Sequence, residues 1–143
     1  MGLPVPDGVY SCELPNGVCI TDSGEGRWLN LMPPNSLGRD AHKIIVKYNL
    51  DRGAYSLQFE KSKSYLTFDG VPSNNNKLLP GDKPRYFTIT PHEYEKDKFV
   101  IGIKENKEDH LGMARELIYP PWVAMNNMQV AQAWHLASVY PTP

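Results

Sequence analysis

"KIIVKYN", residues 43–49, sets the apolar pair Ile44 and Val46 two positions apart, on one face of an extended chain. Period two marks a β-strand with one buried side. The pattern returns as "RYFTITP" at 85–91 and "AWHLASV" at 133–139, with apolar pairs Phe87/Ile89 and Trp134/Leu136. The pairs begin 43 and 47 residues apart. A second alternating marker precedes each: Tyr10/Cys12/Leu14, Tyr55/Leu57/Phe59 and Phe99/Ile101/Ile103, with starts 45 and 44 residues apart. Two independent markers therefore share one period of about 45 residues, the mark of an internally repeated fold.

Short apolar runs fill the space between the markers: "VCITD" and "RWLNLM", then "YLTFDG" and "NKLLPG", then "LGMAREL" and "IYPPWVA". Four strands per repeat give twelve in all. Many of the 13 prolines and 11 glycines fall in the turns between them. Met125–Ala133 is the one stretch with room for a helical turn. The arithmetic fits an all-β β-trefoil, a six-stranded barrel capped by three hairpins, formed by residues 1–143 as a single domain with repeats at about 8–50, 51–94 and 95–140. A three-bladed propeller competes, but three blades fall below the usual range. A sandwich explains the strands but not the threefold period.

Composition narrows the function. With 22% charged residues and a net charge of −1, the chain has no basic excess for nucleic acid or acidic membrane. "MGLPVPDGVY" at the start lacks a basic segment followed by an apolar run, so the expected location is cytoplasmic. Cys12 and Cys19 flank "ELPNGV", a hairpin turn. A four-residue loop over Leu14–Gly17 sets the two cysteines opposite each other, whereas a two-residue Asn16-Gly17 turn pairs Cys19 with Leu14 and offsets them. Reduced thiols acting as small apolar residues are the expected state.

No enzyme constellation stands out, and no cofactor or metal is expected. His42, His92, His110 and His135 show no ligand spacing. There is no Gly-x-Ser-x-Gly elbow, and "DSGEG" lacks the lysine and helix of a phosphate loop. The acid pairs in "EYEKD" and "KENKED" read as solvated hairpin loops. A trefoil without catalytic groups works through its loops. Glycans are one partner class. Ricin B-type trefoil lectins carry Gln-x-Trp in each repeat, and Gln132-Ala133-Trp134 spells it once, with Trp134 read as core. Trp28 and Trp122 are candidates for stacking on a sugar, although Trp122 follows two prolines and has packing as its plain reading.

Protein is the other class. "DGVYSCEL", "EGRWLNLMPP", "KIIVKY" with "AYSLQF", and the closing "AWHLASV" together resemble the mushroom β-trefoil serine protease inhibitors, the mycospins. The resemblance spans most of the chain at low identity. It implies a monomeric fungal defence protein that inhibits trypsin-like serine proteases through an arginine in the loop between the second and third strands. In this chain that loop is "DSGEGRWLN", and the matching residue is Arg27, flanked by Glu25, Gly26, Trp28 and Leu29. A loop guanidinium can enter a specificity pocket that ends in an aspartate, while the flanking backbone adds edge-strand hydrogen bonds. Asn30 and Asn35 have side chains able to hydrogen-bond loop backbone, though the sequence does not place them, and Leu29 and Leu31 alternate as anchors of the third strand in the barrel. Lys63, in the "EKSKS" hairpin, is a second candidate; Lys61 and Arg39 also lie in turns. The related mycocypins, which inhibit cysteine proteases through other loops and in some cases asparaginyl endopeptidase through an exposed Asn, imply a further alternative, with Asn75 in "PSNNNK" as the matching residue, where an Asn-rich turn is the plain reading.

Overall fold

The alternating segments pair into a closed ring. The computed structural model describes residues 3–140, which leaves Met1 and Gly2 of the N-terminal stretch outside it. Twelve strands form: β1 Gly8–Glu13, β2 Cys19–Thr21, β3 Asn30–Met32, β4 Lys43–Asn49, β5 Ala54–Phe59, β6 Tyr65–Thr67, β7 Leu79–Gly81, β8 Phe87–Pro91, β9 Phe99–Ile103, β10 Asn106–Met113, β11 Val123–Asn126 and β12 His135–Ser138. β1 pairs with β4, β4 with β5, β5 with β8, and β8 with β9, all antiparallel. A Phe99–Trp134 bridge joins β9 to the start of β12, and β12 returns to β1. Six strands thus close a barrel without a free edge, which satisfies backbone groups that an open sheet would expose.

Both sequence markers face into this barrel. Tyr10, Cys12, Leu14, Ile44, Val46, Tyr55, Leu57, Phe59, Phe87, Ile89, Ile101, Ile103, Trp134 and Leu136 belong to one buried cluster. Phe99 is half-buried and packs against it from the rim. The indole N–H of buried Trp134 donates to the Leu111 carbonyl at 3.0 Å, so a large core side chain leaves no polar atom unpaired. His135 lies between two inward residues and is exposed, as alternation requires.

The remaining strands make three hairpins, β2–β3, β6–β7 and β10–β11. A cycle of backbone hydrogen bonds ties them together. Leu29 N–H donates to the Leu78 carbonyl (2.8 Å), Leu78 N–H to Val123 (3.0 Å), and Val123 N–H back to Leu29 (2.9 Å). The three residues lie 49 and 45 positions apart in sequence and are fully buried. Each repeat thus fills a vacancy in the next, and the triangular cap records the period of the chain. These features define a β-trefoil.

Three local expectations need correction. Met125–Ala133 forms no helical turn: its first residues belong to β11 and the rest is irregular. Pairing of β10 with β11 holds Met125 in extended form opposite Leu111. "KENKED" is not wholly loop, because Asn106 opens β10 and Asp109 is buried, with its carboxylate accepting from the Asn106 amide at 3.0 Å. In the first hairpin, Cys19 pairs with Glu13, a register between the two anticipated. Leu14 N–H donates to the Val18 carbonyl and closes a three-residue loop, Pro15 to Gly17. Cys19 then shares a face with Ser11, whose hydroxyl lies 3.4 Å from its sulfur, while Cys12 points into the barrel core. Both thiols are free.

Candidate functional site

The segment Asp22–Leu29 joins β2 to β3 over the cap. Gly24 (φ +102°) and Gly26 (φ +75°) adopt the left-handed conformations that favour glycine, and Arg27 N–H donates back to the Gly24 carbonyl at 3.2 Å. "GEGR" is therefore a closed turn with Glu25 and Arg27 exposed at its tip. Its base is braced. The Asp22 carboxylate accepts from Gly24 N–H at 2.9 Å. The Ser23 hydroxyl lies 2.7 Å from the Trp28 carbonyl and 2.8 Å from Asn30 Oδ1. Asn30 is buried, and its amide N–H groups reach the carbonyls of Pro120 (3.3 Å) and Pro121 (3.2 Å). Leu31 N–H also donates to Pro121, at 2.9 Å. The first-repeat loop is thus fastened to residues some 90 positions away.

That fastening brings two tryptophans together. Trp28 and Trp122 meet edge to face, with ring centroids 4.7 Å apart and planes at 85°. Buried Lys77 stands behind them, its ammonium 4.9 Å from the Trp28 ring centre and 5.8 Å from that of Trp122. Its charge is matched by the Glu116 carboxylate at 2.9 Å. The hydrogen bond from Lys77, with further donation from Asn75, holds the Glu116 carboxyl below its ordinary range. The cation thus rests on two π-faces while keeping its counter-ion, an arrangement that fixes the indoles before any ligand arrives.

In front of the pair opens a cleft of about 400 Å³, lined by Ser23, Gly26, Arg27, Trp28, Asn30, Ile118, Tyr119, Pro120 and Trp122. Trp28 is 43% exposed and Tyr119 79%. The volume lies within the range of small-molecule sites. Among the described residues Arg27 makes no side-chain hydrogen bond or ion pair, and neither indole N–H of the pair has a protein partner. No three His, Cys, Asp or Glu side chains among the described residues converge as metal ligands.

Of the residues singled out in the sequence, Gly26, Arg27 and Trp28 line this cleft, and Glu25 stands beside it on the turn. Leu29 does not belong to the exposed surface. It is fully buried in the cap, so it anchors the loop and is not available to touch a protease. Lys63 is exposed at another hairpin, left-handed (φ +67°), with its carbonyl accepting from Gln58. Asn75 is not a free side chain: its amide donates to Glu116, and its Oδ1 accepts from Arg115 N–H at 2.9 Å. An asparagine committed on both sides is unsuited to entering an enzyme pocket. Gln132 is half-buried beside Gly112, and Trp134 serves the core. Asn30 braces the loop as expected, whereas Asn35 accepts from Asp40 N–H in a separate turn. The strand expected over "IYPPWVA" starts late, at Val123, so Ile118 and Tyr119 remain in the loop that forms the far wall.

No protein family matches the sequence, and no curated protein matches it either. Solved structures do. The Macrolepiota procera ricin B-like lectin in complex with lactose is 20% identical with a TM-score of 0.80, over 94% of this chain and 98% of that one. The Rhizoctonia solani agglutinin is 16% identical with a TM-score of 0.78, over 96% and 99%. A designed threefold symmetric protein, ThreeFoil, is 12% identical with a TM-score of 0.72, over 93% and 100%. These likenesses support the trefoil and its threefold plan. They do not support the mycospin resemblance beyond the fold the two groups share.

Proposed function

We propose that this protein is a glycan-binding β-trefoil lectin and that the Trp28–Trp122 cleft is its sugar site. The observation that carries the reading is the half-exposed Trp28, locked against Trp122 and opening onto a cleft with exposed Tyr119 opposite. A pyranose ring presents a patch of C–H groups on one face and hydroxyls around its edge. Aromatic side chains suit the first, and free N–H and O–H groups suit the second. Pre-formed walls spare the entropy of ordering a loop on binding. The lactose complex of the Macrolepiota procera lectin supports sugar binding as a use of this fold.

Loop geometry favours a sugar over a serine protease. A substrate-like inhibitor presents its pocket residue on extended backbone, whose flanking groups bond to the enzyme. Here Arg27 N–H is spent on a turn, Gly26 is left-handed, and the Trp28 carbonyl is held by Ser23. The test is a glycan array, followed by calorimetry with the strongest glycan on the parent and on Trp28→Ala. The variant is expected to lose at least tenfold in affinity, about 1.4 kcal/mol. Absence of binding across the array, or binding unchanged in Trp28→Ala, would overturn the proposal. A parallel titration against trypsin is expected to give no inhibition.

A further inference from the structure

An unpaired guanidinium on the cleft wall selects among sugars. We infer that it takes an acidic glycan, one that presents a carboxylate or sulfate to Arg27 while its ring packs on Trp28. This rests on the glycan reading of the same cleft and narrows its ligand class.

Several groups on the walls are free to donate. The Arg27 side chain and both indole N–H groups of the Trp28–Trp122 pair have no protein partner among the described residues. An indole N–H donates only, a guanidinium donates five times and accepts never, and the Tyr119 hydroxyl can do either. The Ser23 hydroxyl shares one proton between the Trp28 carbonyl and Asn30 Oδ1, so acceptors for neutral hydroxyls remain as well. What sets the wall apart is the unpaired guanidinium of Arg27, and a carboxylate or sulfate is the sugar substituent that matches it.

Charge points the same way. Among the described residues, no aspartate or glutamate lines the cleft. Lys77 is neutralised by Glu116 at 2.9 Å, so it adds little net field in front. Asp22 faces back to Gly24 N–H. Glu25, two residues from Arg27, is exposed and forms no ion pair with it among the described residues, so the guanidinium keeps its full complement of donors. Arg is suited to planar, bidentate recognition of a carboxylate, and flanking apolar surface strengthens such a pair.

The experiment is calorimetry with 3′-sialyllactose, 6-sulfo-lactose and lactose, at one ionic strength, on the parent, Arg27→Gln, Glu25→Gln and Trp28→Ala. The parent is expected to bind at least one acidic sugar tenfold or more tightly than lactose. Arg27→Gln should bring that ratio close to one, Glu25→Gln should raise it, and Trp28→Ala should weaken every sugar that binds. Preference for sialyllactose alone identifies the carboxylate as the ligand group, and preference for the sulfated sugar alone identifies the sulfate. Equal affinity for lactose and both acidic sugars, with all lost in Trp28→Ala, would overturn the inference and leave the glycan reading standing. An acidic preference that survives in Arg27→Gln would also overturn it. Failure of all three sugars in the parent would overturn the acidic assignment, while the array result decides separately whether any glycan binds.

Discussion

Cys12 and Cys19 lie in one hairpin but on opposite faces, a consequence of the Glu13–Cys19 register. Burial pushes the Cys12 thiol up to about 12, with Cys19 and Glu13 adding to the effect. At pH 8 it is therefore almost wholly protonated, and the thiolate is the reactive form. Iodoacetamide at that pH is expected to leave Cys12 unmodified in the folded protein and to label it in denaturant, as read by mass spectrometry. Reductant should leave the melting temperature unchanged. His42 is another residue whose state follows from packing: it is buried with Nδ1 unpartnered, and burial lowers its pKa. An imidazole kept neutral when folded but free to protonate when unfolded costs stability as pH falls below its ordinary 6.5. His42→Gln should therefore reduce the loss of melting temperature between about pH 7 and pH 5. That Arg27 and Trp28 lie on an exposed turn was legible, because the two glycines just before them, Gly24 and Gly26, interrupt the strand pattern. The commitment of Asn75 was not legible, since its partners Arg115 and Glu116 lie 40 and 41 residues away.

Strands were read well where one face is buried and the period is strict, as in β4 with Ile44 and Val46. They were read poorly where proline or a register shift intervened. "IYPPWVA" has strand-like composition, yet the two prolines keep Ile118–Pro121 out of the β10–β11 ladder, which begins at Val123, while Trp122 makes a single bridge to Asn30. The far wall of the cleft was therefore hidden in the sequence. The cap hairpins depend on one another through the Leu29–Leu78–Val123 cycle. Leu78→Ala removes a fully buried side chain at that cycle and should cost about 2–5 kcal/mol, measured by urea denaturation. Behind the cleft, the Lys77–Glu116 pair couples two hairpins. A carboxyl held below its ordinary 4.5 contributes fully above that value and loses its contribution as pH falls through the depressed one. Acidification from above 4.5 down through that depressed value should release Lys77 from Glu116 and alter tryptophan emission. Glu116→Gln should show little of that pH-dependent change.

At the scale of the molecule, the threefold plan was open to reading because the barrel needs the same inward residues three times. The cleft was not, because it arises where symmetry fails. Trp28 and Trp122 come from the first and third repeats, and the second supplies Lys77 behind them. A period finds what repeats, and a site made from differences between repeats needs the closed barrel to bring its parts together. The chain has three tryptophans, and they divide cleanly: two form the cleft wall, and Trp134 is buried with its N–H bonded to Leu111. That division permits a direct test. Indole N–H signals of the 15N-labelled protein are followed by NMR during titration with the strongest array glycan, with assignments from single Trp→Phe variants. The glycan-cleft account predicts progressive shifts or broadening of the Trp28 and Trp122 signals while Trp134 stays fixed. Saturable glycan binding that leaves both Trp28 and Trp122 unmoved would contradict it.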